Sequence, residues 1–159
     1  MPDMLVRLYD LPDSRPIMEE MRKVGIEIRH PIPPEKHIVL DWVRREFSEG
    51  WASECGVSFI HQPVACFIAL ERGKIVGFAC YEATCRNFFG PMGVKESCRG
   101  RGIGKALLLA SMEAMKAMGY AYAIIGGAGP VSFYQKSVGA VAIDGSVPGI
   151  YRGMLTQQE

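Results

Sequence analysis

Three glycines and three cations alternate in the segment RGRGIGK, from Arg99 to Lys105. Glycine has no side chain, so a glycine-rich backbone lets an anion come close to its N–H groups. An apolar segment with helical spacing follows directly, from Ile103 to Met118. The first N–H groups of a helix have no internal partner and carry the positive end of the helix dipole. The segment therefore predicts a phosphate or diphosphate site, with Arg99, Arg101 and Lys105 as charged neighbours.

Two common nucleotide motifs do not fit this segment. A P-loop needs a glycine where Arg99 stands, and it needs serine or threonine where Ala106 follows Lys105. A dinucleotide fingerprint that starts at Gly100 needs a glycine at the position of Lys105. Without further context, a solvated loop that binds nothing stays an open alternative.

The elements around the segment must supply that context. Three glycine or proline residues, Gly90, Pro91 and Gly93, interrupt a β-rich run and predict a bulged or splayed strand. The pattern predicts strands in MLVRLYDL, VACFIAL, IVGFACYEATC, NFFGPMGV, AYAIIG, AVAI and GIYRGML, and helices toward Val24, over 35–47, over 51–57, over 103–118 and in PVSFYQKSVG. This order favours an α/β (α+β) domain with helices on both faces of a largely antiparallel sheet.

Four of these segments together resemble the GNAT superfamily of N-acetyltransferases. They are VACFIALERGKIVGFACYEA, FGPMGVKESCRGRGIGKALL, AYAIIG and VSFYQKSVGA, and they occur in the order of that family. The resemblance implies a single GNAT-like domain over residues 1–159, with a mixed, mostly antiparallel twisted sheet of about six or seven strands. It also implies helices on both faces, a splayed central strand pair, and acetyl-CoA as cosubstrate.

The resemblance assigns the cofactor site to two segments. The pyrophosphate would lie on the loop amides, and pantetheine would lie as a pseudo-strand between FGPMGV and AYAIIG, bonded to the backbone of Met92 and Val94. An amide near Met92 would hold the oxyanion. The residues expected to bind the cofactor are Met92, Gly93, Val94, Arg99, Gly100, Arg101, Gly102, Ile103, Gly104 and Lys105.

The resemblance also implies the catalytic residues. Tyr134, in the FY pair, matches the tyrosine of the family that donates a proton to the departing thiolate. Glu82, at the end of a β-rich run, is the preferred general base. Glu96, Asp144 and His61 are alternatives, and ordered water could serve instead. The expected function is direct acetyl transfer to a primary amine of an unidentified small molecule or peptide.

Three departures from the family pattern leave a second function open. Gly127 stands where many members carry an asparagine, Ala140 replaces a common phenylalanine, and the FYQKSVGA segment is one residue longer than usual. These departures concern the seating of Tyr134. The alternative function is a weak or inactive acyl-CoA-binding sensor or interaction module with the same fold.

Composition limits the kinds of partner, location and metal site that the sequence predicts. Lysine and arginine number 18 against 17 acids, so no global charge indicates nucleic acid or an anionic membrane as a partner. The chain has no apolar run of membrane-spanning length and no signal-like start, which predicts a cytoplasmic protein. Neither the five cysteines nor the three histidines show metal-ligand spacing, so no metal site is expected. The strand predicted in GIYRGML could pair two copies as a homodimer.

Overall fold

The computed structural model of the protein describes residues 1–158. Within them, seven strands and five α-helices form one layered unit around a single sheet. In chain order the elements are β1 (Met4–Arg7), α1 (Arg15–Lys23), β2 (Ile26–Arg29), α2 (Lys36–Glu46), α3 (Glu49–Ser58), β3 (Cys66–Glu71), β4 (Lys74–Tyr81), β5 (Phe88–Val94), α4 (Ile103–Ala117), β6 (Tyr122–Ile125), α5 (Val131–Val138) and β7 (Val141–Ala142).

The sheet runs in the order β2-β3-β4-β5-β6-β1-β7. All neighbouring pairs are antiparallel except β5 and β6, which are parallel. This central pair is aligned at only two positions, Phe88 with Ile124 and Phe89 with Ile125. Beyond Phe89 the two strands separate. The mixed sheet with a splayed central pair confirms the fold predicted from the sequence.

Alternating side chains of the central strands bury two separate cores. Phe78 and Cys80 of β4 pack with α2 and α3 on one face of the sheet. Ala79 and Tyr81, one residue further along in each case, belong to the core that α1 and α4 cover on the other face. Helices therefore lie on both faces, and a strand buried on both sides has the near-continuous apolar sequence seen in β4.

Local signals explain where the helices begin and end. Pro16 occupies the first turn of α1, and the hydroxyl of Ser48 accepts a hydrogen bond from the N–H of Trp51 at the start of α3 (3.1 Å). Gly119 follows α4 with a φ of 101°, a conformation that glycine adopts without strain. Among residues 1–158, no helix is both long enough and apolar enough to cross a membrane.

Two elements differ from the sequence prediction. The prediction of a closing strand in GIYRGML is wrong, because Gly149–Tyr151 is a 3-10 turn. Gly149 and Gly153 both have a positive φ, which bends the chain on either side of this turn. Strand β2 was not predicted, although it forms one edge of the sheet. Its four residues precede a proline-rich turn and give too short an alternation to stand out.

Truncation of Leu107 in α4 should strongly destabilise the fold. Its side chain is fully buried in the core beneath α4, whereas Leu155 is 99% exposed. We expect Leu107→Ala to lower the free energy of unfolding by about 3 kcal/mol, through lost transfer energy and a residual cavity. Leu155→Ala, the same chemical change, should stay within about 0.5 kcal/mol of the wild type. Urea unfolding measures both, and equal stabilities of the two variants would contradict this packing of α4.

Candidate active site

The loop before α4 has the backbone of an anion site. Gly100 and Gly102 adopt φ values of +77° and +85°, which favour glycine. At Gly102 a Cβ would also lie only 3.0 Å from Cδ1 of Ile17, so a larger residue would require the Ile17 side chain to shift. Gly102 is the N-cap of α4, and its position supplies no side-chain cap. The N–H groups of Ile103 and Gly104, at the start of the helix, are therefore available to an external acceptor.

A cavity of about 610 Å³ opens in front of these amides; we refer to it as the loop cavity. It extends from the loop along β5 to α5 and is bordered by Phe47 and Trp51 on the opposite side. Nine of the ten predicted cofactor residues line it: Met92, Gly93, Val94, Arg99, Gly100, Gly102, Ile103, Gly104 and Lys105. The structure thus places both segments of the prediction at one cavity.

The three cations of the segment do not share one role. Arg99 lines the loop cavity, and its Nε donates a hydrogen bond to the carbonyl oxygen of Val94 (3.2 Å). Arg101, the tenth predicted residue, lies outside the cavity and forms an ion pair with Glu71 (2.6 Å). Hydrogen bonds from Arg101 lower the pKa of the Glu71 carboxyl below its usual value. Arg99 and Lys105 therefore supply the positive charge at the cavity.

The gap between β5 and β6 exposes backbone groups of β5. The N–H of Lys95 donates to the carbonyl oxygen of Val76 (2.8 Å), just beyond the last aligned pair of the β4–β5 ladder. Hydrogen bonding alternates along an antiparallel ladder, so Gly93 bonds to β4. The backbone groups of Met92 and Val94 point the other way, toward the gap. A pantetheine chain that enters the gap would find the donors and acceptors of a missing strand.

A second cavity, of about 430 Å³, lies where β5 and β6 begin to separate; we refer to it as the vertex cavity. The two cavities share four lining residues, Trp51, Met92, Gly129 and Tyr134. A molecule in the loop cavity and one in the vertex cavity would therefore meet at these side chains. This is the arrangement that transfer between two bound molecules requires.

Tyr134 lies at the junction of the two cavities. Its ring packs edge-on against Phe133 and Phe89, with centroid separations of 5.0 and 6.4 Å. Its side chain is mostly buried, and burial raises the pKa of the phenol to about 12. Within residues 1–158 its hydroxyl makes no hydrogen bond, and it is not enclosed, because no enclosed side-chain oxygen or nitrogen there lacks a partner. It can therefore donate to a molecule at the junction.

The sequence profile of the Acetyltransferase (GNAT) family matches residues 36–140, about two thirds of the chain. The chain belongs to the GNAT family. The matched range contains the loop, both strands of the gap and Tyr134. The family assignment confirms the predicted class of cofactor, because acetyl-CoA is the donor that these acetyltransferases use. The acetyltransferase class follows at the level of the family.

Solved structures with a similar fold agree with this assignment. A GCN5-related glucosamine N-acetyltransferase region of a fungal multi-domain GH3 β-N-acetylglucosaminidase superimposes with a TM-score of 0.73 and 17% identity, covering 89% of this chain and 19% of that one. GCN5-related N-acetyltransferases from Sphaerobacter thermophilus and Kribbella flavida have TM-scores of 0.63 and 0.61, 19% identity each, and cover 89% of this chain. They are matched over 48% and 53% of their own lengths, so this GNAT chain spans about half of them or less. No curated protein matches the sequence.

The structure places Glu82 away from the junction of the two cavities. Its carboxylate accepts hydrogen bonds from the N–H of Asn87 and the hydroxyl of Tyr120, and it lines neither cavity. The alternatives Glu96, Asp144 and His61 also lie outside both cavities. Glu82 ties the loop between β4 and β5 to the end of α4, which is a structural role for a carboxylate in this fold.

Sequence reasoning missed three residues of the vertex cavity. Glu54, Thr84 and Tyr151 line it and come from α3, from the β4–β5 loop and from the 3-10 turn near the C-terminal end. Each belongs to a different segment, so no spacing in the sequence connects them. Tyr151 was obscured further by the strand predicted at its position.

The three departures from the family pattern are accommodated locally. Gly127 has a φ of +53°, and its N–H donates a hydrogen bond to the Asp3 carboxylate (2.8 Å). The helix α5, which contains most of FYQKSVGA, ends at Val138 and is capped by Gly139 with a φ of +64°. Ala140 is buried, and its N–H lies 3.4 Å from the carbonyl oxygen of Tyr134. Tyr134 therefore still faces the junction.

Three cysteines form a separate cluster beneath α3. The sulfur atoms of Cys55, Cys66 and Cys80 lie within 4.8 Å of one another, and all three side chains are buried in the apolar core. Hydrogen bonds with Cys66 and Cys80 lower the pKa of the Cys55 thiol, whereas hydrogen bonding with Cys55 raises that of Cys66 and burial raises that of Cys80. The three thiols therefore form one hydrogen-bonded group inside the apolar core.

Proposed function

We propose that this GNAT domain, residues 1–159, transfers an acetyl group from acetyl-CoA directly to a primary amine. The observation that carries the proposal is the continuous path from the amides of α4, along the open side of β5, to the junction at Tyr134. A site for the donor and a site for an acceptor meet at that junction. The proposal needs no covalent acetyl-enzyme and no metal ion.

The residues of the loop cavity fit the donor. The N–H groups of Ile103 and Gly104 would hold the pyrophosphate, with Arg99 and Lys105 neutralising its charge. The backbone of Met92 and Val94 would hold pantetheine in the gap, as a strand would be held. Gly104 leaves the cavity surface at the start of α4 without a side chain. A Cβ built there would be 3.7 Å from side-chain atoms of Phe133 and Val94.

Acetyl-CoA supplies the reactive thioester, and transfer forms the nitrogen–carbon bond, breaks the carbon–sulfur bond and releases the nitrogen's proton to water. The N–H of Met92 faces the gap and would stabilise negative charge on the carbonyl oxygen. Tyr134 would donate a hydrogen bond to the departing sulfur. A phenol with a pKa of about 12 does not surrender its proton fully to a thiolate whose conjugate acid has a pKa of about 8.5, so Tyr134 stabilises the leaving group as a donor.

Release of free thiol tests the proposal. Purified protein, acetyl-CoA and a panel of primary amines should release CoA thiol only when an acceptor is present. Amino sugars belong in the panel, because one protein of similar fold is described as a glucosamine N-acetyltransferase region. Mass spectrometry should show an acceptor heavier by one acetyl group.

The same assay separates this function from the sensor. A sensor would bind CoA, seen as heat in titration calorimetry, but would release no thiol with any amine. Absence of both binding and thiol release would reject the donor site itself.

A further inference from the structure

We propose that the vertex cavity binds a small primary amine with no negatively charged group, and that Glu54 binds its ammonium group, which loses one proton to water before the neutral nitrogen attacks the thioester. This inference rests on the acetyltransferase function proposed above. It adds the charge class of the acceptor, which the family does not specify, and a residue that binds it.

The position of Glu54 follows from its helix. Trp51 and Glu54 are three residues apart on α3 and line the same cavity, as neighbours on one helical face do. Trp51 also borders the junction with the loop cavity. Glu54 is therefore about one helical turn from the point of transfer, roughly 5 Å along the helix axis. That distance suits a residue that holds the acceptor beside the thioester.

Glu54 is held in place by a neighbouring loop. The hydroxyl of Thr84 donates a hydrogen bond to Oε1 of Glu54 (2.6 Å). Both side chains are half-buried and both line the vertex cavity. The second carboxylate oxygen, Oε2, makes no hydrogen bond within residues 1–158 and can accept one from an ammonium group.

The charge of the cavity is one-sided. Glu54 is the one charged side chain that lines it within the described part of the chain, and no lysine, arginine or histidine faces it there. Burial, and then the charges of Glu54 and Asp3, raise the pKa of the Tyr151 phenol in the same wall. A carboxylate or phosphate on the acceptor would therefore enter a partly buried site whose one charged side chain is itself negative, which is unfavourable.

The other residues that line the vertex cavity suit an acceptor whose remaining part is small and uncharged. Phe89, Pro91 and Ile125 supply apolar surface, while Thr84 and Tyr151 supply hydroxyl groups. Tyr151 lies close against β6, since a Cβ built on Gly126 would be 2.9 Å from its hydroxyl oxygen. The volume of about 430 Å³ is in the range of small-molecule sites. An amino sugar and an arylalkylamine both meet these conditions.

Matched acceptors test the charge class directly. D-glucosamine is paired with glucosamine 6-phosphate, and phenethylamine with phenylalanine, so each pair differs by one anionic group. In every pair that reacts, we expect the member without the anion to have at least tenfold higher kcat/KM. Equal values, or a preference for the anionic member, would overturn the inference while leaving the transferase function in place. If CoA binds but no amine reacts, both proposals fall.

Variants of Glu54 test the residue. Glu54→Gln keeps the shape of the side chain and an oxygen that can accept from Thr84. It should raise the KM for the amine without an anionic group at least tenfold and leave the Kd for CoA unchanged. Glu54→Lys should reverse the preference within each pair, which a purely structural role would not do. Glu49→Gln, on the exposed side of the same helix and paired with Arg44, is the matched control and should change neither quantity. An unchanged KM in Glu54→Gln, with unchanged discrimination within each pair, would remove Glu54 from the site.

Discussion

Gly104→Glu should weaken CoA binding about 100-fold without loss of stability. Gly104 is the second residue of α4 and lines the loop cavity. A glutamate there would face the pyrophosphate, and its repulsion from two negative charges about 6 Å away costs roughly 3 kcal/mol at an effective dielectric constant of about 40. The same carboxylate would interact favourably with the dipole of α4, and the replaced glycine is a poor helix former.

Gly50→Glu provides the matched control for this change. Gly50 is the second residue of α3, so the substitution, the helical position and the helix-dipole effect are the same. It is exposed and lines neither cavity. Titration calorimetry should show weakened CoA binding only for Gly104→Glu, and thermal melts should show both variants at or above the wild-type midpoint. Equal affinities in the two variants would mean that the start of α4 does not bind the phosphates.

The backbone conformation of the loop before α4 was predictable because its determinants are local. The positive φ of Gly100 and Gly102 and the start of α4 are all encoded within seven residues. The splayed strand was predictable for the same reason, since Gly90 and Pro91 interrupt β5 within its own sequence. Each of these features depends on backbone conformation, which short-range sequence patterns specify well.

The roles of individual charged side chains were not predictable in the same way. Arg101 belongs to the cationic segment, but its ion pair with Glu71 depends on the arrival of β3 beside the loop. Glu82 has the position in sequence of a strand-end base, but contacts with Asn87 and Tyr120 engage its carboxylate. These contacts join residues up to 38 positions apart. Spacing in a sequence does not report them.

The residues that line the vertex cavity were even harder to predict from sequence spacing. Glu54, Thr84 and Tyr151 meet only after α3, the β4–β5 loop and the C-terminal turn have packed around the end of β6. No sequence pattern pointed to Glu54, because a single acidic residue on a helix is usually a solvated side chain. Family membership therefore indicates the cofactor, acetyl-CoA, whereas a site for the acceptor must be inferred from the assembled structure.

Tyr134→Phe should lower kcat about 100-fold while changing the KM for acetyl-CoA less than twofold. The substitution removes the hydroxyl at the junction but keeps the ring, which packs against Phe89 and Phe133. Loss of the hydroxyl removes a hydrogen bond to the leaving sulfur, and this interaction is stronger in the transition state than in the bound substrate. Steady-state thiol release measures both constants. Tyr9→Phe, at an exposed position outside both cavities, is the matched control and should behave as wild type.

The pH dependence distinguishes the hydroxyl as a donor from a packing role. Burial raises the pKa of Tyr134 to about 12, so the donating, protonated form persists as the pH rises and is lost only near that value. Between about pH 8 and 10 the wild-type kcat should therefore not fall through loss of this proton, whereas an unshifted tyrosine with a pKa of about 10 would lose half of it. The ratio of wild-type to Tyr134→Phe rates should accordingly stay constant across that interval. A ratio that declines by half at pH 10 would contradict the buried environment of the phenol, and a ratio near one throughout would remove Tyr134 from the chemistry.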